Sequence, residues 1–137
     1  MNFLILHGTA NSGKTEGVKR FCDYLKQNGW MGEAEELGND IRIVLKKKIN
    51  DVEKRVILCS GSDAEDILCG NKRYIEKNNP CDVLVLARRL DNPLNGIFEK
   101  YFSLGLSFFG HLCYNILKYL CTFRLFFVRY NPRRRKD

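Results

Sequence analysis

The chain has 137 residues, a formal net charge of +7, 45% hydrophobic residues and 28% charged residues. At about 100–200 residues per domain this is one domain with room for a full core, which excludes a two-domain enzyme and a chain disordered throughout. Residues 129–137 hold five cations and one acid, so they supply +4 of the total and leave the body only mildly basic. A nucleic-acid binder would instead spread its Lys and Arg over one face.

Residues 3–7, Phe-Leu-Ile-Leu-His, form a short apolar run closed by Gly8, the pattern of a strand buried on both faces. From Lys14 to Asn28 the period changes: Val18, Phe21, Cys22 and Leu25 form one stripe and Gly29 stops it, which predicts an amphipathic helix. Residues 30–40, with Gly32 and Gly38 among Glu33, Glu35, Glu36 and Asp40, read as an exposed acidic loop. Residues 41–45 and 55–59 are β-like, and the polar joint between them is shorter than the dozen or so residues a helical crossover needs. They are expected to pair as an antiparallel hairpin; a single helix over 41–54 is the competing reading. Ser62-Asp63-Ala64-Glu65 matches a capping box with Ser62 as cap, and Ala64, Ile67, Leu68 and Ile75 mark a helix ending near Pro80. Residues 82–87 form another buried strand. Asn92-Pro93 then opens a helix carrying Leu94, Ile97, Phe98, Tyr101 and Phe102.

Ten of the sixteen aromatic residues lie within 101–130. Residues 101–117 lack Asp, Glu, Lys and Arg, the lower limit for a membrane span. However, Phe109, Leu112, Cys113, Ile116, Leu117 and Leu120 form one stripe, with His111, Tyr114, Asn115 and Lys118 opposite. That predicts an amphipathic helix rather than a span, followed by a strand over 123–130. One domain over 1–130 and a disordered basic tail over 131–137 result. The six cysteines include no CxxC pair and no secretory signal is recognisable, so reduced, buried thiols in a cytoplasmic protein are expected.

The chemistry lies in Gly8-Thr9-Ala10-Asn11-Ser12-Gly13-Lys14-Thr15, a complete G-x-x-x-x-G-K-[ST] pattern between a predicted strand and helix. Glycines let a loop curl until successive N–H groups share one concavity, and a helix N-terminus adds partial positive charge. This context resembles the P-loop NTPase superfamily. The resemblance implies a three-layer α/β fold with a mostly parallel central sheet, one antiparallel hairpin strand and helices on both faces. It further implies a nucleoside triphosphate with Mg²⁺, bound by Gly8, Asn11, Ser12, Gly13, Lys14 and Thr15. Lys14 would reach the β- and γ-phosphates and the Thr15 hydroxyl would ligate the metal. Outside the loop the chain looks similar to small P-loop proteins of bacterial mobile elements. The shared features are a hairpin, a Ser-x-x-Asp strand end and an Arg-bearing next strand.

A second acid for Mg²⁺ is sought at a neighbouring strand end. Asp63 is the first choice, although Ser60 is the residue that directly follows the strand; Asp40 and the loop glutamates rank below it. Arg88 and Arg89, at the end of strand 82–87, are candidates to stabilise charge in transfer. His7 reads as a strand-end side chain and His111 carries no signal. A GTPase is disfavoured: Asn71-Lys72-Arg73-Tyr74 lacks the closing Asp of the guanine motif, and no threonine lies in 30–40. MgATP is therefore expected over GTP, with slow hydrolysis as the default reaction. The alternatives are a small-molecule or nucleotide kinase and a nucleotide-dependent regulatory protein. A protein partner on the aromatic segment is possible in the second of these; nucleic acid or an acidic membrane on the basic tail is not favoured.

Overall fold

A computed structural model describes residues 2–91 and 93–102. The helix and strand expected within 104–130, the basic tail and the partner surfaces assigned to them lie outside these residues.

The apolar runs become strands and the 3.6-period segments become helices. In chain order the elements are β1 (Asn2–Gly8), α1 (Lys14–Gln27), β2 (Ala34–Leu37), β3 (Asp40–Ile49), β4 (Val52–Cys59), α2 (Glu65–Asn78), β5 (Val83–Arg89) and α3 (Leu94–Phe102). The five strands form one sheet in the order β1-β5-β4-β3-β2. β5 pairs in parallel with both β1 and β4, while β3 pairs antiparallel with β4 and β2. The sheet is therefore mixed, with as many antiparallel pairings as parallel ones, rather than mostly parallel.

The expected hairpin forms as β3 and β4. Asn50 and Asp51 both take left-handed backbone at its turn, with φ of 49° and 64°, the conformation that a two-residue turn needs to match strand twist. The acidic loop expected over 30–40 is corrected in part. Ala34–Leu37 adds to β3 as an edge strand, Glu35 opposite Arg42 and Glu36 opposite Ile41. Its first three residues are exposed, so it has no apolar alternation, and backbone pairing with β3 makes it a strand.

Alternation along the central strands sorts the core into two faces. Val56 and Leu58 of β4 and Val85 and Ala87 of β5 meet Val18, Cys22 and Leu25 of α1. Ile57 and Cys59, with Leu84 and Leu86, meet Leu68 and Ile75 of α2 and Phe98 and Phe102 of α3. One helix therefore covers one face and two cover the other. The capping box does not form. Ala64 is the cap of α2 and makes no side-chain cap bond, Ser62 is buried, and Glu65 accepts the Tyr101 hydroxyl at 3.0 Å. Among the described residues no helix is long and apolar enough to cross a membrane.

Candidate functional site

Because β1, β4 and β5 run parallel, their carboxyl ends, Gly8, Cys59 and Arg89, lie along one end of the sheet. β3 runs the other way, so its first residue, Asp40, lies at that end too. The motif loop sits here, between β1 and α1. Gly13 caps α1 with φ 81°, and Asn11 has φ 56°. Left-handed residues spaced within a short loop turn successive N–H groups towards one concavity. The loop folds closely over its own start: a Cβ on Gly8 would stand 2.1 Å from Ser12 Oγ.

Lys14, the first residue of α1, is 8% exposed. Its ammonium donates to the Thr9 carbonyl and to Ser12 Oγ, so it is held against the loop. Burial lowers its pKa from the usual 10.5; Asp63 and Asp91 oppose the shift, and Arg89 adds to it. Those three charges act on the lysine head.

Thr15 Oγ1 donates to Asp40 Oδ1 at 3.0 Å. Ser60 Oγ donates to the same oxygen at 3.0 Å while accepting the Ile41 N–H at 2.9 Å. Asp40 therefore holds the Thr15 hydroxyl proton, which leaves that oxygen's lone pairs directed away from Asp40. The sequence ranked Asp63 above Asp40 as the acid beside Thr15; the structure brings Asp40 there. Asp63 is exposed and pairs with Arg89 at 3.4 Å.

The two arginines part company, as neighbours on a strand must. Arg88 turns to α3, where it bonds Asn95 and Glu99 and lies 5.2 Å from the centre of the Phe98 ring. It is not brought to the loop. Burial lowers the pKa of His7, opposite Arg88 in the β1–β5 register, and the Arg88 charge lowers it further. Arg89 lies opposite Gly8 and donates to Asp91 Oδ2 at 2.8 Å. That same carboxylate oxygen accepts the Ala10 N–H of the loop at 3.2 Å. Asp91 carried no sequence signal, being one polar residue after a strand. The Arg89 hydrogen bond is the main cause that lowers its pKa from the usual 3.8.

Asn71 is helical and 2% exposed. It accepts Arg42 Nε and donates to the Gly61 carbonyl, so it ties α2 to β3 and to the end of β4. Among the described residues no three His, Cys, Asp or Glu side chains gather as a metal site. Mg²⁺ keeps several waters and takes few protein groups plus substrate phosphates. The Thr15 hydroxyl, with the Asp40 carboxylate behind it, would fit such a donor set. A scan of protein-family models and searches of curated proteins and of solved structures found no match to this chain.

Proposed function

We propose that this chain is a minimal P-loop NTPase-like protein that binds an Mg²⁺–nucleoside triphosphate, ATP over GTP, and hydrolyses it slowly in the cytoplasm. The observation that carries the reading is the pairing of Thr15 with Asp40 beside a buried Lys14 at the mouth of a curled loop. Two halves of a phosphate–metal site, remote in sequence, meet at one end of the sheet. This is also the end at which open α/β sheets take ligands.

In this reading the loop and the α1 N-terminus receive the phosphate oxygens, and Lys14 leaves the Thr9 carbonyl to reach the β- and γ-phosphates. Thr15 offers an oxygen to the metal, and Asp40 supplies the charge behind it. When bound, Mg²⁺ would be held by the Thr15 hydroxyl with Asp40 behind it, and would supply positive charge against the phosphates. Asp63 adds a negative charge that acts on Lys14 and pairs with Arg89 at 3.4 Å.

Lys14→Ala removes the cation and is expected to abolish triphosphate binding in a calorimetric titration with MgATP. Binding as tight as that of the wild type would overturn the reading.

A further inference from the structure

The terminal phosphates of a ligand must lie where Lys14 can reach them. That region already contains an anion. Asp91 Oδ2 sits on the Ala10 N–H at 3.2 Å and on Arg89 Nε at 2.8 Å. One loop amide and one guanidinium are what a phosphate oxygen seeks. The residue before Asp91 also holds the loop here, since the Leu90 N–H donates to the Gly8 carbonyl at 3.1 Å.

We infer that Asp91 is a specificity-determining residue: its carboxylate stands in the place of the third phosphate, and a triphosphate must displace it from Ala10 and Arg89. The inference rests on the proposed triphosphate site. A diphosphate leaves Asp91 where it is, because its two phosphates need only the inner part of the loop, Lys14 and Thr15. A triphosphate exchanges one anion for another: Asp91 gives up the Ala10 amide and Arg89, and the terminal phosphate takes both. The guanidinium never loses an anionic partner, since Asp63 lies 3.4 Å from it on the far side. After hydrolysis the same exchange runs backwards. The returning carboxylate takes the amide and the arginine from inorganic phosphate, which speeds its departure.

Asp63 shares Arg89 but has no contact with the loop amide. Its charge therefore attenuates Arg89 without occupying the phosphate position. The two acids make different predictions, which separates competition from simple charge neutralisation.

Calorimetric titration of the full chain with MgATP and with ADP tests this on wild type, Asp91→Asn, Asp63→Asn and Lys14→Ala. Asparagine keeps an oxygen for the Ala10 N–H, so the loop retains its anchor, and thermal melting checks that it does. Asp91→Asn is expected to tighten MgATP about tenfold, because the terminal phosphate then displaces a neutral amide rather than a charged carboxylate from Ala10 and Arg89. ADP should tighten less than about threefold, and Asp63→Asn, which removes a charge acting on Lys14 but frees no loop amide, should move both ligands by the same factor. Weaker or unchanged MgATP binding by a folded Asp91→Asn, alongside wild-type binding that Lys14→Ala destroys, overturns the competitor role and leaves the triphosphate site standing. Equal gains for ATP and ADP also overturn it, because they mean general repulsion. If wild type and Lys14→Ala bind alike, the site itself is wrong and the inference falls with it.

Discussion

Asp40→Asn separates the structural work of Asp40 from its charge. Asp40 Oδ1 accepts two hydroxyl hydrogen bonds, from Thr15 and from Ser60, each 3.0 Å long. Hydrogen bonds to a charged group contribute about 1.5–3 kcal/mol each. Asp40→Ala deletes both, and with the side chain half-buried a loss of about 2–4 kcal/mol in unfolding free energy is expected. Ser60 Oγ still accepts the Ile41 N–H, but its own O–H loses the Asp40 acceptor in a buried place, which puts the loss towards the upper end of that range. Asn at the same place retains the accepting oxygen and is expected to stay within about 1 kcal/mol of wild type. What it lacks is the negative charge behind the Thr15 oxygen. Loss of such an outer partner lowers metal affinity roughly 10–100-fold. The assay is the Mg²⁺ concentration that half-saturates nucleotide binding, measured beside urea unfolding curves for wild type, Asp40→Asn, Asp40→Ala and Asp63→Asn. The reasoning is refuted if Asp40→Asn is as stable as expected yet needs no more Mg²⁺ than wild type. It is refuted more sharply if Asp63→Asn is the variant whose Mg²⁺ requirement rises.

Gly13→Ala adds a Cβ that meets nothing within 4 Å, but forces an L side chain to φ 81°. The cost is about 1–2 kcal/mol of backbone strain, to appear as lost stability and weaker nucleotide binding. Gly29→Ala, at φ 82° beyond the far end of α1, is the control that should lose stability by urea titration and leave binding intact. Asp82 predicts an acid-sensitive step. The Arg55 N–H at 2.8 Å and then the Lys54 ammonium hold its pKa below the usual 3.8. Its contribution is therefore complete above the unfolded-state value and is lost as pH falls through the lower, folded one. Urea unfolding between pH 5 and 2 should show a slope that Asp82→Asn flattens.

The fold was legible where burial writes a pattern. β4 and β5 are apolar on successive residues because both faces are covered, and each covering helix repeats at 3.6. β2 was not legible, since Ala-Glu-Glu-Leu buries almost nothing and owes its conformation to hydrogen bonds from a neighbouring strand. The capping box failed for a related reason: Ser62 packs into the interior and Glu65 finds Tyr101, so tertiary partners outbid the local pair. Asp40 is the instructive case. Reading 41–45 and 55–59 as an antiparallel hairpin already places the start of the first strand beside the end of the second. With Arg42 opposite Cys59, Ile41 falls beside Ser60, and Asp40 reaches the strand end where the loop lies. Position after a strand that runs towards the site ranks Asp63 above Asp40 in the sequence. A strand running away from it begins there, and its first side chain is equally well placed. Asp91 could not be found this way, because its role depends on how the chain turns after β5 to return over Ala10. That turn is fixed by the Leu90–Gly8 backbone bond and by Arg89, a contact between residues some 80 positions apart. The proposed phosphate half of the site is local, written in eight consecutive residues. The proposed metal half and the proposed competing anion are products of strand direction and of a turn.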